Sequence, residues 1–436
     1  AASDVYKRQG LYFTIRTRFV QVRCFGEGWR RFFGEFSLNG EKHKSGMSSF
    51  QALATAVAAQ VGTGNITGCA TALVSGGPGA LFWTWVSAFF GMATIYAEAV
   101  LAQHYKTTVN GHVTGGPAYY IRAAFKGKVG KVLATVFSVL IILALGFMGN
   151  MVQSNSIGDA FHNAFGLNRL AVGVVVAAIA AFIFLGGVQR IAAVTEKVVP
   201  IMAAFYILGC IVILVINAKA LPGALAQVFV LAFEPQAMAG GIAGVTVQQS
   251  MRFGVARGLF SNEAGSGSAP CAAAAAECDD PVKMGLVQAL GVLIDTVVIC
   301  SCTAFLMLLV PQEITAGLTG MDLLQTAMQY HLGSFGIVFI AVILALFSFS
   351  TFLGVLYYAR GNVAYLCGDN WWSQTAYKLL ALAMLLVGGT QAYTVVWDLG
   401  DVGIGLMTIF NMLALVPLSG EALTALNDYE KRKKIK

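Results

Sequence analysis

The chain has 436 residues, 57% of them hydrophobic and 11% charged, with a net charge of +7 and a mean hydropathy of +0.72. Soluble domains carry about 25% charged residues, and several apolar stretches here exceed the ~20 residues that cross ~30 Å of hydrocarbon. The chain therefore reads as an all-α, polytopic membrane protein. The basic excess is assigned to loops at one membrane face, and nucleic acid is excluded as a partner because no soluble domain pairs Lys/Arg density with aromatics.

Residues 1–9 are polar, show no signal-peptide pattern and join abruptly to Gly10-Leu11-Tyr12-Phe13. That junction reads as a truncation or an assembly artefact and is left out of the fold. Residues 14–44 carry Arg16, Arg18, Arg23, Arg30, Arg31, Lys42 and Lys44 among aromatics. They read as the cytoplasmic end of a mostly lost helix plus an interfacial stretch. Ten spans follow, near 48–75, 79–103, 130–158, 169–187, 191–217, 240–276, 284–310, 334–358, 374–390 and 399–418. The cysteines form no CxxC pair and the histidines no ligand spacing, so neither disulfides nor zinc is expected.

Orientation follows from the placement of Lys and Arg. With the start inside, the inner segments gather 14–44, Lys106, Arg122, Lys126, Lys128, Lys131, Arg190, Lys197, Lys283, Arg360 and the tail from Lys431 to Lys434. The outer loops hold Arg169 and Lys219. Both ends of the core are thus expected inside. Ten spans then divide into 48–217 and 218–420, two five-helix halves of opposite topology, flanked by segment 1–47 and a basic tail 421–436. Inverted repeats of this kind place their site where helices are broken.

Each half opens with such an interruption. In the first, residues 60–68 read Gln-Val-Gly-Thr-Gly-Asn-Ile-Thr-Gly inside an apolar run. Each glycine lowers helix propensity by about 1 kcal/mol, and non-helical backbone at bilayer depth survives only where it lines a cavity or is buried in protein. In the second, residues 258–270 read Gly-Leu-Phe-Ser-Asn-Glu-Ala-Gly-Ser-Gly-Ser-Ala-Pro. The amides of Thr63 and Gly64, at the start of a half-helix, suit a carboxylate. The competing reading of the first break is a small-residue packing patch. Glu263 is costly in lipid and is weighed between pairing with Arg252 or Arg257 and a transport role.

The first break, with Gly76-Gly77-Pro78-Gly79, Gly115-Gly116-Pro117-Ala118-Tyr119-Tyr120, Thr195-Glu196-Lys197 and the block Arg252 to Gly265 containing Ser261-Asn262-Glu263-Ala264-Gly265, resembles the alanine or glycine:cation symporter family. The likeness runs from about residue 10 to 420. It implies sodium-coupled import of a small amino acid, and the five-plus-five fold of the bacterial leucine transporter preceded by one extra helix. It assigns the Thr63 and Gly64 amides to the amino-acid carboxylate and the carbonyls of Ala58 and Val61 to Na⁺, with Asn65 adding an oxygen to a second Na⁺ or to substrate. Phe260 would wall the substrate, with Ser261 and Asn262 as polar contacts. Thr351 and Ser350, in Phe347-Ser348-Phe349-Ser350-Thr351, would complete the sodium shell, Thr351 also facing substrate. The chain departs from the family at Val355, where many members carry an aromatic, and at Arg360, where many carry an acid.

Gln153 and Asn155, in the third span, either contact substrate or bond neighbouring helices. Asp295 is a lone acid read mainly as structurally paired, and Glu98 as lying near a helix end, snorkelled or paired. The expectation is a sodium-coupled alanine or glycine symporter of a bacterial inner membrane, with Na⁺ as co-transported ion. The amino acid, Na⁺ and the bilayer are its partners, and neither an obligate protein partner nor enzymatic activity is expected. The alternatives are proton coupling through Asp295 or Glu263 and, behind it, a channel.

Overall fold

A computed structural model of the chain describes residues 2–34, 48–109, 111–186, 188–234 and 246–433. The chain opens with α1 (Ala2–Arg16), a one-turn α2 (Val20–Arg23) and α3 (Phe25–Gly34). Next come α4 (Ser49–Gln60), a π-helical segment Gly64–Gly68, α5 (Cys69–Gly76) and the long α6 (Gly79–His104). A hairpin of β1 (Thr107–Val109) and β2 (His112–Thr114), with Thr107 opposite Thr114, interrupts an otherwise helical chain. After α7 (Pro117–Ala124), α8 (Gly127–Ile141) runs through a π segment, Ile142–Gly149, into α9 (Asn150–Phe165). Then follow α10 (Arg169–Leu185), α11 (Val188–Ile216) and α12 (Leu221–Phe233). Beyond these lie α13 (Val247–Asn262), α14 (Ala269–Ala275), and a rod of α15 (Pro281–Val292), π segment Leu293–Ile299 and α16 (Cys300–Leu308). The chain ends with α17 (Gln312–Thr315), α18 (Gly320–Leu332), α19 (Ser334–Cys367), α20 (Trp371–Gly388) and α21 (Tyr393–Lys433).

Six of these stretches are long and apolar enough to cross a membrane: Gly79–His104, Gly127–Phe165, Arg190–Ile216, Pro281–Leu308, Ser334–Cys367 and Thr394–Lys433. Both interruptions are present. Val61, at ψ 93°, leaves the helical region after α4, and the chain resumes at Gly64 with π geometry. The second lies between α13 and α14, where Glu263, Gly265 and Gly267 all take positive φ. The helices leading into the breaks start alike. Ser48 with Gln51 caps α4, and Thr246 with Gln249 caps α13, each a reciprocal capping box that satisfies two orphan amides. Part of the expected 240–276 span, residues 240–245, lies outside the described residues.

The centre of the molecule is α6, packed by α1, α12, α13, α14 and α15. Small residues let backbones meet there. A Cβ on Gly254 would stand 2.3 Å from the Ala80 carbonyl oxygen, so α13 can touch α6 only with glycine at that position. Helix α12 was not anticipated, and it uses the same device. Its Leu231–Ala232 backbone lies where a Cβ on Gly79 would be, 2.4 Å away.

Residues 1–9 require correction. From Ala2 onward they belong to α1, which packs on α6 and α21. Tyr6 and Gln9 are buried, and the Tyr6 hydroxyl donates to the Ser87 carbonyl at 2.9 Å. The polar composition misled because these side chains face the protein interior. Glu98 is also misplaced by the sequence reading: it is fully buried within α6 rather than near an end.

Candidate functional site

The first break is surrounded by side chains from four other elements. The Gln153 carbonyl oxygen, on α9, accepts from the Thr63 amide at 3.4 Å. The Thr351 hydroxyl, on α19, donates to the Val61 carbonyl at 3.1 Å and to its own Phe347 carbonyl at 3.0 Å. Gly62 makes this approach possible, since a Cβ there would stand 2.2 Å from Thr351 Oγ1 and 3.2 Å from Gln153 Oε1. Gly64 is similarly pressed against Phe260, at 3.1 Å from its would-be Cβ. Thr63 is wholly buried, and its hydroxyl has no partner among the described residues. A buried unsatisfied hydroxyl costs about 1–3 kcal/mol.

Asn65 stands on the other side. Its Oδ1 accepts from the Gly62 amide at 2.9 Å, holding the turn, while its Nδ2 donates to Asp295 Oδ1 at 2.7 Å and to the Ser261 hydroxyl at 2.8 Å. Asp295 lies in the π segment Leu293–Ile299 and also accepts from the Ser261 and Thr296 hydroxyls, at 2.7 and 2.8 Å. It is therefore no isolated acid. It is the node that ties the first break to the second. The structural pairing favoured from the sequence is thus present, with Asn65 and Ser261 as partners remote in the chain.

Of the remaining candidates, Phe260 lies between the first break and α21. Its ring stacks on Trp397 of α21 with centroids 4.8 Å apart, and the Arg257 guanidinium lies over both rings, 5.5 and 5.1 Å from their centroids. Arg257 pairs with Asp401, not with Glu263. Beyond Phe260 a cavity of about 190 Å³ is lined by Arg252, Arg257 and Asp401 among others. Trp397 was missed by the sequence reading, being one aromatic in a long apolar run. It stands over Gly68 and supplies an aromatic wall that Val355, buried in the same core cluster, lacks. Arg360 pairs with Asp369 at 3.3 Å.

Asn262 turns away from Thr63. Its Nδ2 donates to Thr296 Oγ1 at 3.1 Å, and its Oδ1 accepts from the Ala264 amide at 3.0 Å, closing α13. Its carbonyl accepts from Gln60 at 3.0 Å. Ser350 faces α11, donating to the Phe347 carbonyl at 2.8 Å with its oxygen 3.5 Å from the Met202 sulfur, whereas Thr351 faces the break. Ala58 is buried on α4, one turn before Val61. Asn155 bonds the carbonyls of Gly388 and Gln391, as interhelical glue does.

The second break is held by Glu98. Its carboxylate accepts from the amides of Gly265 at 2.8 Å and Gly267 at 3.0 Å and from Asn411 Nδ2 at 2.6 Å. Asn411 in turn donates to the Gly265 carbonyl at 2.9 Å and accepts from Tyr120 at 2.5 Å. Glu263 accepts from the Ser268 hydroxyl, so neither arginine weighed for it is its partner.

Two interrupted helices thus meet beside α6, and the fold as a whole is shared with solved structures. A manganese transporter from Eremococcus coleocola superposes with a TM-score of 0.58 at 14% identity, covering 85% of this chain and 78% of that one, a likeness of fold alone. The chain belongs to the sodium:alanine symporter family, whose model matches residues 7–436. It is 41% identical over 429 residues to the amino-acid carrier protein AlsT of Bacillus subtilis, covering 98% of this chain and 88% of that one. It is also 40% identical over 418 residues to the sodium/alanine symporter AgcS of Methanococcus maripaludis, covering 94% and 90%.

Proposed function

We propose that this protein is a sodium-coupled symporter that imports a small neutral amino acid, alanine or glycine, by alternating access around the two breaks. The observation that carries the reading is the convergence at Gly62, where the Thr351 hydroxyl, bonded to the Val61 carbonyl, and the Gln153 amide oxygen, bonded to the Thr63 amide, both approach. The amides of Thr63 and Gly64 take the substrate carboxylate, which displaces the long Gln153 contact. Gln153 is then free for the substrate amine. The carbonyls of Ala58 and Val61 and the Thr351 hydroxyl offer Na⁺ the hard oxygens it prefers, and Ser350 joins them only if α19 rotates. Asn65 positions Gly62, and Phe260, closed by Trp397, walls the substrate. Asn262 acts by shaping the end of α13.

Ten crossings in two inverted halves, with both core ends in the cytoplasm, remain the topology that fits this mechanism; the matched capping boxes at Ser48 and Thr246 support it. The membrane is proposed to be the bacterial cytoplasmic membrane. A potential of about 100 mV supplies about 2.3 kcal/mol per charge, and a tenfold Na⁺ gradient about 1.4 kcal/mol. One Na⁺ per substrate is then enough for accumulation of several hundredfold.

A proton-coupled reading is favoured by one feature, the Asp295 carboxylate at the junction of both breaks. Uptake of labelled alanine into proteoliposomes separates the two. An inward Na⁺ gradient should drive uptake, and replacing Na⁺ with K⁺ should abolish it. Uptake that survives without Na⁺ and follows an imposed pH gradient would transfer the coupling to Asp295.

A further inference from the structure

Between α1 and α2 the chain turns sharply. Arg18 and Phe19 both adopt left-handed backbone, at φ 52° and 59°, a conformation costly for residues with a Cβ. Arg23 staples the turn by donating to the Thr17 and Arg18 carbonyls at 3.0 and 2.7 Å, and it pairs with Glu430 at 2.8 Å. Beyond the turn, Phe19, Val22, Phe25, Trp29 and Phe33 are all exposed. In α3 the four-residue spacing of Phe25, Trp29 and Phe33 puts them on one helical face, with Val22 of α2 and Phe19 of the turn preceding them. The Phe25 and Trp29 rings stack at 5.8 Å, and Trp29 and Phe33 lie at 4.7 Å.

This strip cannot turn inward, because the opposite face is already bound. Gly28 seats against α15, its would-be Cβ 3.4 Å from the Leu286 carbonyl oxygen. Glu27 pairs with Arg31 at 3.0 Å and with Arg30, and accepts from the Tyr429 hydroxyl at 2.7 Å. Glu27 is also the one acid between residues 16 and 34, and it is half-buried while Arg16, Arg18 and Arg30 are exposed. Within residues 16–34 the exposed side chains are thus apolar or cationic, with no exposed acid and three cations against one half-buried carboxylate.

We propose that the face formed by Phe19, Val22, Phe25, Trp29 and Phe33, with Arg16, Arg18 and Arg30, lies in the membrane interface and binds anionic phospholipid headgroups. The chemistry fits: amphipathic helices with Trp/Phe on one side and Arg beside them settle at the headgroup boundary. Each arginine near an anionic leaflet is worth about a fivefold preference. Because Glu27, Arg23 and Gly28 fasten this face to α15 and α21, the lipid grips the same helices that carry Asp295 and Trp397.

The test uses the full chain in phosphatidylcholine vesicles containing equal mole fractions of bromine-labelled phosphatidylglycerol or bromine-labelled phosphatidylcholine. The fluorescence difference between wild type and Trp29→Phe isolates the Trp29 ring. Labelled phosphatidylglycerol should quench Trp29 several-fold more strongly than labelled phosphatidylcholine. The triple variant Arg16→Gln/Arg18→Gln/Arg30→Gln should keep the quenching and lose the preference. Equal quenching by both lipids in wild type, or a preference that survives in the triple variant, overturns anionic recognition. No quenching at all, or quenching that falls as protein density rises, means that protein covers this face and the proposal is wrong. The readout involves no transport, so its failure is distinct from failure of the symport reading.

Discussion

The two breaks solve the same problem in opposite ways. The second takes three left-handed residues, Glu263, Gly265 and Gly267, and its exposed amides are gathered by one carboxylate, Glu98. Between residues 61 and 68 the first break has no positive φ. It turns through extended Val61 and resumes as π helix, and it meets its surroundings through long or shared contacts, leaving the Thr63 hydroxyl unpaired among the described residues. A break whose backbone is fully answered by protein acts as scaffold. The first keeps a polar group in reserve. The two breaks thus differ less in the interruption itself than in what is left unsatisfied around it.

That contrast can be broken by substitution. The largest effect is expected at Glu98. Glu98→Ala orphans the amides of Gly265 and Gly267, at about 1–3 kcal/mol per buried donor, and leaves Asn411 with the Gly265 carbonyl alone to donate to. The melting temperature in detergent should fall steeply, and less in Glu98→Gln, which keeps one acceptor. An unchanged melting temperature would remove Glu98 as the clamp. Gly267→Ala comes next, with φ +88° and a Cβ 2.7 Å from the Phe137 ring. The left-handed conformation alone costs about 1–2 kcal/mol, so this protein too should melt early.

Substitutions at the first break should instead alter ion use. Gly62→Ala drives a Cβ into the Thr351 hydroxyl and Thr351→Val removes that hydroxyl. A net hydrogen bond of about 1 kcal/mol corresponds to roughly a fivefold rise in half-saturating Na⁺, with a much smaller change for alanine. Sodium dependence that stays put in Thr351→Val would take this residue out of the shell. The smallest effect is expected at Trp397→Leu. Losing the ring over Phe260 should widen the wall and shift the ratio of alanine to larger neutral amino acids a few-fold, measured by competition for labelled alanine.

Much of the layout was legible beforehand. Glycine clusters at 62–68 and 258–270 named both breaks, since glycine and proline leave a local mark that tertiary context seldom erases. Ten apolar stretches mapped onto helices or helix pairs, although part of one lies outside the described residues. What escaped was non-local. Asn65 and Asp295 are 230 residues apart, Glu98 and Gly265 are 167 apart, and nothing in their neighbourhoods announces the pairing. The polar start of α1 hid its burial for the same reason: the Tyr6 hydroxyl is satisfied inside the protein by donating a hydrogen bond to the Ser87 carbonyl. Ser350 and Thr351 looked equivalent in the sequence, yet adjacent positions on a helix diverge by about 100°, and only one can face a given neighbour.

Three π segments, Gly64–Gly68, Ile142–Gly149 and Leu293–Ile299, lie within or just ahead of the spans that carry Asn65, Gln153 and Asp295. A π segment holds a wider turn than its α neighbours, in effect a surplus residue stored within a helix. Releasing that surplus would advance everything beyond it by about 100° about the axis without unfolding either end. Among the described residues, Asn65, Gln153 and Asp295 thus each belong to a helix wound, in part, with a residue to spare, a reserve of length that the uniformly α-helical spans around them do not hold.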